Sequence, residues 1–290
     1  MRAVVSARQG SRATVPDSGA VKTLRATLEL YRSAIQDGAR AYGRGIIGAF
    51  GLLLGSAFLL LVSTVLGPLM GAGGGAGSLL FGLFFSTLMA YVIGAYLACV
   101  EAALDARKML PPSVLKDAIG HYFGECIGTM FWMWIGALLL GFVLDGWVAL
   151  AVSFVLAVLF NPIPELLYNR RTQAPRVFEE SARWVWSNWP EWFAPQVIVG
   201  VLAALFVPTL SNVLFAGGWM SFSILGMVAS AAQSAADVAR IGGAPLWRVA
   251  LEALVVPLVV HAVMVFRGAL FRRLDRGNRR ARAWHARFDD

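Results

Sequence analysis

The chain has 290 residues, of which 58% are hydrophobic and only 14% charged, with a net charge of +8. A soluble domain carries about 25% charged residues, and the shortfall here is concentrated in four windows, 45–100, 126–144, 146–164 and 192–236, which hold no Asp, Glu, Lys or Arg. Windows of that length fit helices of roughly 20 apolar residues crossing about 30 Å of hydrocarbon. They exclude a soluble core, and their continuous rather than alternating hydrophobicity argues against a barrel.

In chain order, residues 1–20 have no apolar core long enough for a cleavable signal and read as a flexible basic tail. Residues 21–273 form a single membrane domain, and 274–290 a basic C-terminal tail. Crossings are expected near 46–66, 79–99, 127–144, 147–167 and 195–215. The sixth is expected at 249–270, with 219–239 packed on the outer side; seven crossings is the alternative. The expected fold is all-α, polytopic, with about six transmembrane helices and amphipathic helices at the interface.

The basic residues orient this plan. Eight of the 25 Lys and Arg precede Gly45, three lie at 102–125, four at 169–194, and eight from Arg267 onward. Basic loops stay cytoplasmic during insertion. Both termini and the loops after the second and fourth crossings are therefore expected inside a bacterial-type plasma (inner) membrane. The uncharged link at 67–77 falls outside. The same excess suits anionic headgroups. A nucleic-acid role is not expected, because no basic face interleaved with aromatics is evident.

Three stretches share a pattern of surface helix followed by hairpin. They begin at Ala26, Ser113 and Val177, and each is expected to start with three or four amphipathic turns running into a span. In the first, Leu24, Leu28, Tyr31, Ile35 and Tyr42 fall near one face. The layout, through "LELYRSAIQDGARAYGRGIIGAFGLLL" and a last span ending "VFRGALFRRLDR", resembles the six-span bacterial membrane domain found attached to glycerophosphoryl diester phosphodiesterases, and its stand-alone relatives. The resemblance covers about residues 20–275. It implies architecture and no reaction, since the phosphodiesterase catalytic domain has no counterpart here.

Candidate residues come from the polar exceptions. "FNPIPELLYNRR" ends the fourth crossing, and Pro162 and Pro164 lack amide donors and disfavour helix in the residue before them. Asn161 can bond the freed carbonyls, and Arg170 and Arg171 can compensate Glu165. The stretch reads as an interfacial elbow, with Glu165 in wet headgroups. The alternative is a broken helix lining a polar cavity, as transporters use. Arg248, Glu252 and His261 lie in the last apolar segment, where ionisable groups default to functional candidates. Trp184, Trp186, Trp189 and Trp192 read as an interface anchor. Gly120, Gly124 and Gly128 are expected to form a helix-packing groove, with Gly51 and Gly55 repeating the spacing once. His121 and Glu125 sit one turn apart beside Cys126, a weak metal half-site. Cys99 and Cys126 read as free thiols packed among helices.

No Ser-His-acid set, phosphate loop, paired catalytic carboxylates or CxxC appears, and no cofactor or metal is expected. The function expected from these residues is an integral membrane scaffold or accessory subunit, with a membrane-protein partner or a second copy of the chain. The alternative is a transporter, channel or lipid-handling protein using a cavity near Asn161–Glu165 and the Arg248, Glu252 and His261 set.

Overall fold

The computed structural model describes residues 19–71, 74–206 and 246–276. Every regular element among them is a helix: α1 (Gly19–Arg44), α2 (Ile46–Gly71), α3 (Gly74–Asp105), α4 (Ser113–Ala118), α5 (Phe123–Val143), α6 (Gly146–Leu159), α7 (Ile163–Arg170), α8 (Arg176–Phe206) and α9 (Leu246–Arg276). Among the described residues, four segments are long and apolar enough to cross a membrane: Ile46–Pro68, Gly74–Asp105, Phe123–Val143 and Gly146–Arg170. They correspond to the first four expected crossings. The expected fifth begins in α8 and continues past the described residues, and the expected sixth falls within α9. The segment 219–239 lies outside the described residues, as do both tails from 1–18 and 277–290.

Glycines set how closely these helices approach. On α2, Gly48, Gly51 and Gly55 recur every three or four residues and so share one face, and Gly45 stands just before the helix. A Cβ on Gly48 would lie 3.3 Å from Cβ of Cys99, and one on Gly55 would lie 2.5 Å from Val92, while Gly45 abuts Ala103. These contacts run in opposite directions along the two helices, so α2 and α3 form an antiparallel hairpin. Helix α9 lies antiparallel to α1, with Asp37 against Arg273, Gly38 against Phe266 and Tyr42 against His261, and it touches α2 where Gly48 meets His261. Small residues there permit backbone contact, which is how helices gain packing energy where lipid removes the hydrophobic drive.

Helix α1 buries Ala34, Gly38 and Ala41, spaced i, i+4, i+7, against this surface. The larger residues expected to mark its apolar face lie to one side. Tyr31 and Tyr42 are half-buried, and Leu28 and Ile35 stay exposed. The packed stripe is therefore the small-residue one.

The second expected surface helix is not formed at the expected length. Helix α4 has six residues and stops at a turn in which Gly120 takes φ +80°. That left-handed conformation is cheap for glycine and ends the helix. The carbonyl of Tyr168 and Glu101 Oε2, 2.6 Å away, both take the Tyr122 hydroxyl, so the turn is tied to α3 and α7. Burial foremost, then the Glu101 hydrogen bond, holds the Tyr122 hydroxyl well above the usual tyrosine range.

The core collects toward the end of the molecule where α3, α7, α8 and α9 meet. Leu97, Val100, Leu166, Tyr168, Trp192, Met264, Leu270 and Phe271 are all buried there. Along the spans, Phe131, Leu139, Phe142, Trp147 and Phe154 are exposed. Apolar side chains that size need a hydrocarbon neighbour, which the bilayer supplies.

Candidate functional site: a buried ion pair at the end of an apolar groove

Helix α6 is only 14 residues long, and its break at Phe160–Pro162 creates the site. Pro162 and Pro164 have no N–H to give to the preceding turn. The loosened carbonyls are satisfied in other ways. Asn161 N donates to Val158 O at 3.4 Å, Ile163 N to Phe160 O at 3.2 Å, and Ser181 Oγ to Leu159 O at 2.7 Å. The Asn161 carbonyl accepts from Arg267 Nη2 at 2.8 Å. Helix α7 then starts with a proline in its first turn, where a missing N–H costs nothing.

Glu165, in the first turn of α7, is fully buried. Its carboxylate accepts from Arg267 Nε at 2.7 Å through Oε1 and from Nη2 at 2.9 Å through Oε2. This bidentate fork is the strongest geometry for such a pair. The guanidinium lies over the Trp192 ring, 5.0 Å from its centroid. Trp192 Nε1 donates to Asn161 Oδ1 at 3.0 Å. Arg267 on α9 is thus gripped by the α6–α7 break and by α8 together. Behind them Trp184 stacks on Phe271 at 4.6 Å. Two charges this deep are tolerated only when well paired and hydrogen-bonded.

Beside this pair runs a groove of about 690 Å³ between α3, α5 and the α6–α7 segment. Its wall on α3 extends from Ser78 to Leu97, and apolar residues such as Leu83, Met130, Trp134 and Leu156 line most of it. Asn161, Pro164 and Arg267 line it at the end where Leu97 and Cys126 sit.

Of the residues singled out in the sequence, Asn161 and Glu165 meet in this site. Two expectations about them are corrected. Glu165 is not in headgroups, and its partner is Arg267. Arg170 instead pairs with Asp275 and Glu180, and Arg171 sits 5.9 Å from the Tyr122 ring centroid. His261 is buried elsewhere on α9, with Nδ1 3.2 Å from the Tyr96 hydroxyl and its ring 5.6 Å from that of Tyr42. Arg248 and Glu252 lie in the first turns of α9, and their side chains fall outside the described residues.

The tryptophans divide. Trp186 and Trp189 are exposed and suit an interface anchor, whereas Trp184 and Trp192 are buried and belong to the core behind Arg267. The glycine groove expected on α5 is also corrected. Gly120 lies in the turn, a Cβ on Gly124 would meet nothing within 4 Å, and one on Gly128 would only graze Ala174. His121 lies in the same turn, not on a helix with Glu125, and its Nε2 is 3.4 Å from Arg171 Nη2. Cys99 and Cys126 are buried free thiols.

Arg267 is the site residue that sequence reasoning passed over. Its signal is visible in hindsight: one arginine stands in "VVHAVMVFRGALF", five residues before the next basic side chain. Comparison with protein-family models, with curated proteins and with solved structures gives no match.

Proposed function

We propose that this protein is a lipid-handling membrane protein that holds an acyl chain in the groove between α3, α5 and α6–α7. The observation that carries the reading is the groove itself. Its volume falls within the roughly 300–1,000 Å³ of small-molecule sites. It is long: the α3 wall from Ser78 to Leu97 spans about 28 Å of helix rise. Most of its lining is apolar; Ser78, Ser86 and Thr87 are the hydroxyls on the α3 wall, Thr87 giving its proton to Leu83 O, and the guanidinium and amide groups sit at one end, which matches an amphiphile. The reading goes with six crossings in three hairpins, the second preceded only by the short α4, with a bacterial-type inner membrane and with cytoplasmic termini. In support of that orientation, Arg44, Arg170, Arg272 and Arg273 gather at the end of the molecule that holds Asp105 and Ala106.

A scaffold or accessory subunit of a membrane complex is the second reading. It is favoured by the outward Phe142, Val143 and Trp147, each nearly four-fifths exposed and adjacent at the α5–α6 turn.

Gly82 gives the test. It lines the groove, and a Cβ there meets nothing within 4 Å. Gly82→Phe should fill the groove without straining α3. Native mass spectrometry of the full chain, purified in mild detergent, should find bound lipid on the parent protein. The variant should retain several-fold less at an unchanged thermal midpoint. Equal retention by both proteins overturns the lipid reading and leaves the scaffold.

A further inference from the structure

The polar end of the groove carries two hydrogen-bond donors that no described residue uses. The first is Arg267 Nη1. Nε and Nη2 of this side chain are committed to Glu165 and to the Asn161 carbonyl, while Nη1 has no partner among the described residues, although the side chain is only 3% exposed. The second is Asn161 Nδ2. An indole N–H only donates, so the 3.0 Å contact with Trp192 Nε1 must engage the Asn161 amide oxygen. That fixes the orientation of the amide and leaves its NH₂ as the free group. Both residues line the groove. Nearby Thr129 also lines it, but its hydroxyl proton already goes to Glu125 O at 2.7 Å.

We propose that this end of the groove recognises the ester carbonyl oxygens of a glycerolipid through Arg267 Nη1 and Asn161 Nδ2. The inference rests on the lipid reading above and names which part of the lipid is read. Charge favours a carbonyl over a phosphate. Glu165 cancels the guanidinium, so the site offers donors without net positive charge. A second anion would leave one guanidinium to balance two negative charges. Depth agrees. Leu97, at the same end of the groove, is about 12 Å of helix rise from Asp105 at the end of α3. Ester linkages sit below the phosphates at the edge of the hydrocarbon.

The test uses the full chain in mild detergent with three defined lipids of equal chain length, read by native mass spectrometry. These are ester-linked phosphatidylglycerol, its ether-linked analogue without carbonyls, and ester-linked phosphatidylcholine. The expected result is roughly a tenfold preference for ester over ether, the size of one or two hydrogen bonds. The two ester lipids should agree within about twofold, because a neutral site has little to say to headgroup charge. Glu165→Gln with Arg267→Gln keeps the pocket neutral and removes Nη1, and should abolish most of the ester preference.

Equal retention of ester and ether lipids overturns the carbonyl inference while leaving the groove as an acyl-chain site. A strong preference for phosphatidylglycerol over phosphatidylcholine overturns it in favour of headgroup charge. An ester preference that survives in the double variant overturns the role of Arg267. Retention of none of the three lipids overturns the lipid reading itself. If the double variant fails to fold, the ester-to-ether ratio of the parent protein decides alone.

Discussion

Arg267 shows how a single side chain can depend on several helices at once. Its guanidinium needs Glu165 for charge, the Asn161 carbonyl for a hydrogen bond and the Trp192 ring as a cover. Removing one partner of a fully buried pair strands the other charge, at a cost of about 3–5 kcal/mol. Glu165→Ala should therefore depress the thermal midpoint or the yield of folded protein sharply. The paired Glu165→Gln and Arg267→Gln replacement should cost much less than twice that amount. If the single and double changes prove additive in a thermal-melt cycle, the two residues are not coupled. Trp192→Phe keeps a ring over Arg267 but loses the hydrogen bond to Asn161 Oδ1 and part of a fully buried ring, and should cost about 1–3 kcal/mol. Trp186→Phe, at an 81% exposed position, should leave the melting midpoint unchanged.

At the scale of elements, close approach is decided by which glycines face backbone. A Cβ on Gly94 of α3 would lie 3.0 Å from the Tyr122 carbonyl carbon and 3.1 Å from the Phe123 nitrogen. Backbone at the start of a helix cannot rotate away as a side-chain tip does. Gly94→Ala should then push α5 off α3 and cost about 1–3 kcal/mol, the range for overpacking. Gly124→Ala adds a methyl into open space on a helix, and should be neutral or stabilising by about 1 kcal/mol through helix propensity. Thermal midpoints in detergent for the two variants test this ordering directly. The spacing rule for small residues predicted a groove through Gly120, Gly124 and Gly128. It failed there because spacing counts only within one continuous helix, and Gly120 ends one instead. The same rule holds on α2, where Gly48, Gly51 and Gly55 meet three different helices.

For the whole molecule, the basic residues converge at one end although they come from distant parts of the chain. Arg44 Nη1 donates to the Ala106 carbonyl at 2.6 Å, Arg272 pairs with Asp105 at 2.6 Å, and Arg273 pairs with Asp37. Exposed pairs like these contribute about 0–1 kcal/mol each, so their concentration matters more for orientation than for stability. Cysteines placed at Lys108 and at Asp145 should separate the two faces in intact cells. An impermeant thiol reagent should label position 145 and spare position 108, with little background because Cys99 and Cys126 are buried. A cysteine at Asn278 should also be spared. Labelling at 278 together with protection at 108 would mean an odd number of crossings and would remove the six-span plan.

The sequence by itself determined the all-helical class of this protein and the position of four helices long and apolar enough to cross a membrane. Run length without charge is a local property, and a helix that must satisfy its own backbone in lipid needs no distant partner to be recognised. It also located the break at Asn161–Pro164, because a missing N–H acts where it stands. Which charge lay against Glu165 was decided only by tertiary structure. The nearby Arg170 and Arg171 were the natural choice by sequence, yet α9 brings Arg267 across 102 positions of chain. The division of the four tryptophans between core and boundary was settled in the same way, by how α8 packs against α9. Neither outcome has a local signature, since a buried pair is chosen by the packing of whole helices.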